Sequence, residues 1–134
     1  MFRCARVAAL VLFVCAGGLL APAEARAQAH RPFPPLALRG EITFGTAPEV
    51  LLNGQPARLA PGARIRGDDN LLRLPVALAE HTLLVHYTRE PTTGLLLDVW
   101  ILNEPERRRE PWPRTEEEAR RWSFDPIAQT WSRR

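Results

Sequence analysis

From Leu36 onward the sequence is broken about every eight to twelve residues by turn-forming residues, and the apolar runs between the breaks are too short for amphipathic helices. That punctuation limits the fold more than any other feature. It predicts a mainly β protein, a small antiparallel β-barrel or sandwich of about five to seven strands with a C-terminal short helix and β-hairpin. Leu38 to Phe44 is the first expected strand, with Gly40 marking a bulge. Val50 to Leu52 runs into Asn53-Gly54, a pair suited to a type I′ turn because both central positions of that turn need positive φ, and Gln55 to Leu59 returns as the partner strand. Ala60-Pro61-Gly62 and Gly67-Asp68-Asp69-Asn70 read as further turns on either side of a short strand from Ala63 to Arg66. Leu71 to Leu74 is a short apolar run stopped by Pro75, and Val76 to Glu80 is one helical turn or a loop.

Two segments alternate most clearly, Thr82 to Thr88 and Leu95 to Leu102, joined by the loop Arg89 to Gly94. Their odd positions, Leu83, Val85, Tyr87 and then Leu95, Leu97, Val99, Ile101, belong in the core. The even face carries His86, Asp98 and Trp100, so antiparallel pairing sets His86 opposite either Asp98 or Trp100.

Beyond this β-domain, residues 36–102, composition changes. Residues 103–114 hold Arg107-Arg108-Arg109 and three prolines, which reads as an exposed linker. Thr115 with Glu118 three positions on forms a capping box that opens a helix from Glu116 to Trp122, acidic at its start and basic at its end as the helix dipole favours. Asp125-Pro126 suits a type I turn between Trp122-Ser123-Phe124 and Gln129-Thr130-Trp131. Residues 115–134 are therefore expected to fold as a helix and hairpin packed on the β-domain.

At the other end, residues 1–27 have the layout of a secretory signal peptide: arginines near Met1, an apolar run from Val7 to Leu20, then small residues. Cleavage after Ala27 is favoured over cleavage after Ala29, and Cys15, preceded by Val14, lacks the context for lipid attachment. The expected destination is the periplasm, with no membrane span in the mature chain. Residues 28–35 follow as a proline-rich, extended segment with scope to move. The leader also changes the charge. The whole chain carries +3, but without residues 1–27 fifteen basic residues face fourteen acidic ones. Capture of nucleic acid needs clustered cations, so nucleic acid is set aside as a partner.

Both cysteines, Cys4 and Cys15, fall in the leader, which removes thiol, disulfide and thiolate-metal chemistry from the mature protein. Every basic residue is arginine, so lysine chemistry is excluded. The two remaining serines, Ser123 and Ser132, lack a nucleophile-elbow context. The expectation is a protein that is not an enzyme and holds no cofactor.

Candidate site residues are correspondingly few. Trp100, Trp112, Trp122 and Trp131 all lie in the last third of the chain, where exposed indoles can stack on sugars or grip a partner and buried ones can close an edge of the barrel. His86 and Asp98 would make a carboxylate-oriented imidazole or an ordinary surface pair. His30, as a new N-terminus after cleavage at Ala29, could join His81 or His86 in a copper-binding brace, although His81 and His86 sit on opposite faces of one strand. Asp68-Asp69-Asn70 lacks the rest of a calcium loop and reads as a turn.

The segments Gly40-Glu41-Ile42-Thr43-Phe44, Val50 to Pro56 and Pro61 to Gly67, with the tail Trp122 to Pro126 and Gln129-Thr130-Trp131, resemble uncharacterised small exported proteins of β-proteobacteria. More loosely, a glycine-led strand followed by one ending in Asn-Gly is similar to small secreted OB-like β-barrels. The first resemblance implies export and no known activity. The functional expectation is a periplasmic binding or interaction module for an unknown envelope protein or cell-wall component. The alternatives are a copper-binding protein using His30 and a second histidine, and a carbohydrate-binding module using the tail tryptophans.

Overall fold

The computed structural model describes residues 31–134. The expected leader, both cleavage positions, the two cysteines and His30 lie outside the described residues. Strands β1 (Leu38–Phe44), β2 (Glu49–Leu52), β3 (Gln55–Arg66), β5 (Thr82–Arg89) and β6 (Leu96–Ile101) close into a barrel in the order β1-β2-β3-β6-β5 and back to β1. A two-residue strand, β4 (Leu72–Arg73), is added to β3, and a 3₁₀ turn, Pro75–Leu78, leads into β5. Short helices α1 (Glu104–Arg107) and α2 (Glu116–Arg121) follow, then the hairpin β7 (Ser123–Asp125) and β8 (Thr130–Ser132). None of the described helices is long and apolar enough to cross a membrane.

The small barrel expected from the sequence is present, with one departure from antiparallel pairing: β3 and β6 run parallel. An odd number of strands closed in a ring cannot alternate direction all the way round, so five strands require one parallel pair. The β2–β3 turn is the expected one, with Asn53 and Gly54 both at positive φ (52° and 77°) and Leu52 facing Gln55 across it. Ala60-Pro61-Gly62 is not a turn between two strands. Gly62, at φ 75°, lies inside the continuous β3, where an irregularity between Leu59 and Arg64 bends the strand past β6. Gly40 marks no bulge either, since β1 pairs in unbroken register on both sides. Its missing side chain matters because a Cβ there would come within 3.0 Å of both Tyr87 and Asn53.

The barrel interior is filled by Leu38, Ile42, Phe44, Val50, Leu52, Leu59, Ile65, Val85, Tyr87, Leu96 and Val99. Strands β1, β2, β3 and β5 send in alternate residues, as the pleat requires. At β6 the expected odd face holds for Val99 and Ile101 but fails for Leu95 and Leu97. A register shift beside Thr88 turns Leu96 inward instead.

A second core lies outside the barrel. Phe33, Ala37, Leu102, Trp112 and Trp131 are buried together, with Leu84, Trp100, Ala119, Trp122 and Phe124 packed around them. The lead-in segment is therefore pinned rather than mobile where it is described, because Arg31 and Phe33 are buried. Residues 103–114 are not an exposed linker. Asn103 caps α1 in a reciprocal capping box with Glu106, and Glu106, Trp112 and Pro113 are buried. In the tail, Trp131 is buried in the same cluster as Phe33, Ala37 and Leu102, with Ala119, Trp122 and Phe124 packed against it.

Candidate functional site

Arg39 on β1, His86 on β5 and Trp100 on β6 are register neighbours in a row across the barrel's outer face. Of the two partners expected for His86, the register selects Trp100. Asp98 lies opposite Thr88 and holds Arg64 at 2.9 Å, so the His86–Asp98 pair does not form in either its catalytic or its surface version. The even face is not solvated, because the lead-in arm and the tail lie over it. Trp112 stacks on His86 at 4.0 Å between centroids, and Phe33 meets the imidazole edge-on at 4.5 Å and Trp100 at 5.6 Å.

Arg39 donates its Nε–H to His86 Nε2 at 3.3 Å, which places the imidazole proton on Nδ1, a buried atom with no hydrogen-bond partner among the described residues. Burial, and then the neighbouring charges of Arg39, Arg31 and Arg109, hold the His86 pKa well below the usual histidine value. This is a neutral core histidine with neither nitrogen open to a ligand. His81 is exposed just before β5, and among the described residues no three His, Cys, Asp or Glu side chains come together in a way that could hold a metal.

Two arginines are buried in this outer layer, and their charges are met differently. Arg31 forms a two-pronged ion pair with the buried Glu106, Nε to Oε1 at 2.8 Å, and donates to the carbonyls of Gly67 and Ile101, each at 2.7 Å. Among the described residues, Arg39 has only neutral acceptors within hydrogen-bond reach: His86, the Glu106 carbonyl at 2.8 Å and the Arg107 carbonyl at 3.4 Å. Its nearest carboxylate, the largely exposed Glu110, is 4.0 Å away. Burial, partly offset by Glu110, lowers the Arg39 pKa to about 10. Gln129 completes the layer by clasping the lead-in backbone: its Oε1 accepts the Phe33 N–H at 2.8 Å, and its Nε2 donates to Phe33 O at 3.4 Å and Pro126 O at 2.9 Å.

Two depressions open where the tail meets the barrel, and Trp122 and Trp131 border both. One is an apolar groove of about 570 Å³ between the β5–β6 loop and α2, walled by Leu36, Tyr87, Trp122 and Phe124 with Arg89, Glu90, Glu116 and Arg120 at its rim. The other is a mixed cleft of about 590 Å³ lined by Arg39, Glu110, Trp112, Arg114, Glu118 and Arg133 among others. Both volumes suit small ligands. Of the four candidate tryptophans, Trp112 and Trp131 are buried and Trp100 and Trp122 half-buried, with Trp122 the half-buried one that borders both openings.

Arg31, Arg39, Glu106, Gln129 and Leu36 carry much of this site without having been singled out in the sequence. For Glu106 a signal existed, since Asn103-x-x-Glu106 is itself a capping box. For Arg39, on the outward phase of β1, none did. No protein-family model matches the chain, and no curated protein or solved structure matches it.

Proposed function

We propose that this chain is exported to the periplasm and serves there as a non-enzymatic binding module for another envelope component. The observation that carries the reading is the apolar groove beside the β5–β6 loop. Leu36 stands 78% exposed at its edge, and Tyr87, Trp122 and Phe124 form its walls. A bare aliphatic side chain beside aromatic rings gains most from a partner's apolar surface. The export layout of residues 1–27 and the lack of thiol, lysine and activated serine chemistry support the same reading. The ring order of the barrel, with its single parallel β3–β6 closure, supports the looser likeness to OB-type barrels.

The test is site-specific photocrosslinking in intact cells, with the reactive residue placed at Leu36 and, as control, at the exposed Gln55 of β3. A discrete adduct from position 36, missing from position 55 and lost in a Trp122→Ala chain that retains its far-UV spectrum, is the expected result. Identical adducts from both positions would remove the groove as the binding face.

A further inference from the structure

We propose that the second cleft, floored by Arg39 and flanked by Arg114 and Arg133, binds a carboxylated sugar. The inference rests on the binding-module reading but uses a different opening. Its starting point is the unequal treatment of the two buried arginines. Arg31 is neutralised by Glu106, whereas Arg39 lies at the bottom of the cleft with neutral acceptors and a carboxylate no nearer than 4.0 Å. Arg114 and Arg133 add two more guanidinium groups, so three arginines meet two glutamates, Glu110 and Glu118, along the lining. An anion entering there meets a positive field in a partly desolvated site, and a guanidinium fork matches a carboxylate in shape.

The rest of the lining narrows the class. Inorganic phosphate would gain nothing from the indoles of Trp112, Trp122 and Trp131. A fatty acid would find too little apolar wall. A pyranose uses each component: its C–H face packs on indole, its hydroxyls donate to Glu110 and Glu118, and its carboxylate takes the arginines. Arg133 already lies over the Trp122 ring, its guanidinium carbon 5.1 Å from the centroid, so a pyranose stacks there by displacing the guanidinium from the indole face towards its own carboxylate.

The experiment is calorimetric titration of the mature chain with methyl β-D-glucuronide, its neutral counterpart methyl β-D-glucoside, and sodium phosphate. The acidic sugar is expected to bind at least about tenfold more tightly than either of the others, the difference shrinking as sodium chloride is raised. Arg133→Gln and Arg114→Gln, both at the cleft mouth, are each expected to weaken the glucuronide about threefold to tenfold without shifting the thermal midpoint by more than about a degree. The adduct from position 36 reports the apolar groove on its own, so absence of glucuronide binding with that adduct retained overturns this proposal and leaves the binding-module reading standing. Equal binding of the two sugars, phosphate binding as tightly as glucuronide, no binding at all, or insensitivity to both arginine variants would each overturn the proposal.

Discussion

The barrel interior and the layer outside it each hold a cluster of buried side chains, yet they are built from different chemistry. Inside, the buried side chains are aliphatic or aromatic, and any residue of similar shape would fill the space. Outside, Phe33, Trp112 and Trp131 share the space with all five of the buried polar residues among those described, Arg31, Arg39, His86, Glu106 and Gln129. Hydrophobic packing is tolerant of exchange, whereas a buried ion pair requires a particular partner in a particular place. The interior thus accounts for the existence of a barrel. The polar outer layer fixes where the arm and tail lie on it, and therefore where the two openings form.

The sharpest way to break this contrast is Glu106→Ala. It leaves Arg31 charged and buried with only carbonyl partners and removes one half of the α1 capping box, an expected loss of about 3–5 kcal/mol. In the interior, Leu96→Ala leaves a cavity and costs about 2–5 kcal/mol. Similar totals should arise in different ways. Hydrogen-exchange mass spectrometry should show Glu106→Ala exposing the Trp112 segment and β7–β8 while β5 and β6 stay protected, and Leu96→Ala loosening both layers together. Uniform loss of protection in Glu106→Ala would mean that the outer layer is not a separable unit.

Next in size is the response to pH, which the outer layer alone should produce near neutrality. Below about pH 6.5 the unfolded imidazole takes up a proton that folded His86 refuses, because burial and three arginines oppose it. Stability therefore falls as pH falls, by at most about 1.4 kcal/mol per unit, and the His86 slope fades to near zero above about pH 8. Urea denaturation between pH 7.5 and 5.5 measures it, and His86→Gln, which keeps an acceptor for Arg39, should flatten the dependence. Below pH 5 the reading becomes mixed. There Asp69, Glu90 and Glu104, held below the usual carboxylate range chiefly by hydrogen bonds from Arg73, Thr93 and Arg107, begin to lose their stabilising charge.

The same contrast explains what could be seen in the sequence. Alternation in Leu38 to Phe44 and Thr82 to Thr88, and the Asn53-Gly54 turn, are local signals, and they located most of the barrel strands. The outer layer has no local signal of that kind. His86 and Trp100 look like a solvated face until Phe33 and Trp112, distant in sequence, are laid over them. Arg39 reads as an ordinary outward residue of a strand, and only the approach of α1's carbonyls and of Trp112 makes it a buried one. Trp112, Trp122 and Trp131 could be named from the sequence, but the other residues that border the openings were hidden for the same reason: they are assembled from β1, the β5–β6 loop and the tail.

The smallest effect tests the contrast within the outer layer itself, by comparing one motif in two settings. Asn103 and Thr115 each accept the N–H of the residue three positions on, at 3.1 and 3.2 Å. At α1 the exchange is reciprocal, because Glu106 returns a bond to the Asn103 N–H, and the box is tied into the Arg31 pair. At α2 the return bond from Glu118 goes to the N–H of Arg114 instead, and the cap is exposed. Asn103→Ala should therefore cost towards the upper end of the cap range, about 2 kcal/mol, and Thr115→Ala about 0.5–1 kcal/mol. Chemical denaturation of the two variants at pH 7.5 resolves the difference. Equal losses would mean that α1 gains nothing from its buried surroundings, and that the ion pair beside it and the cap act as independent parts.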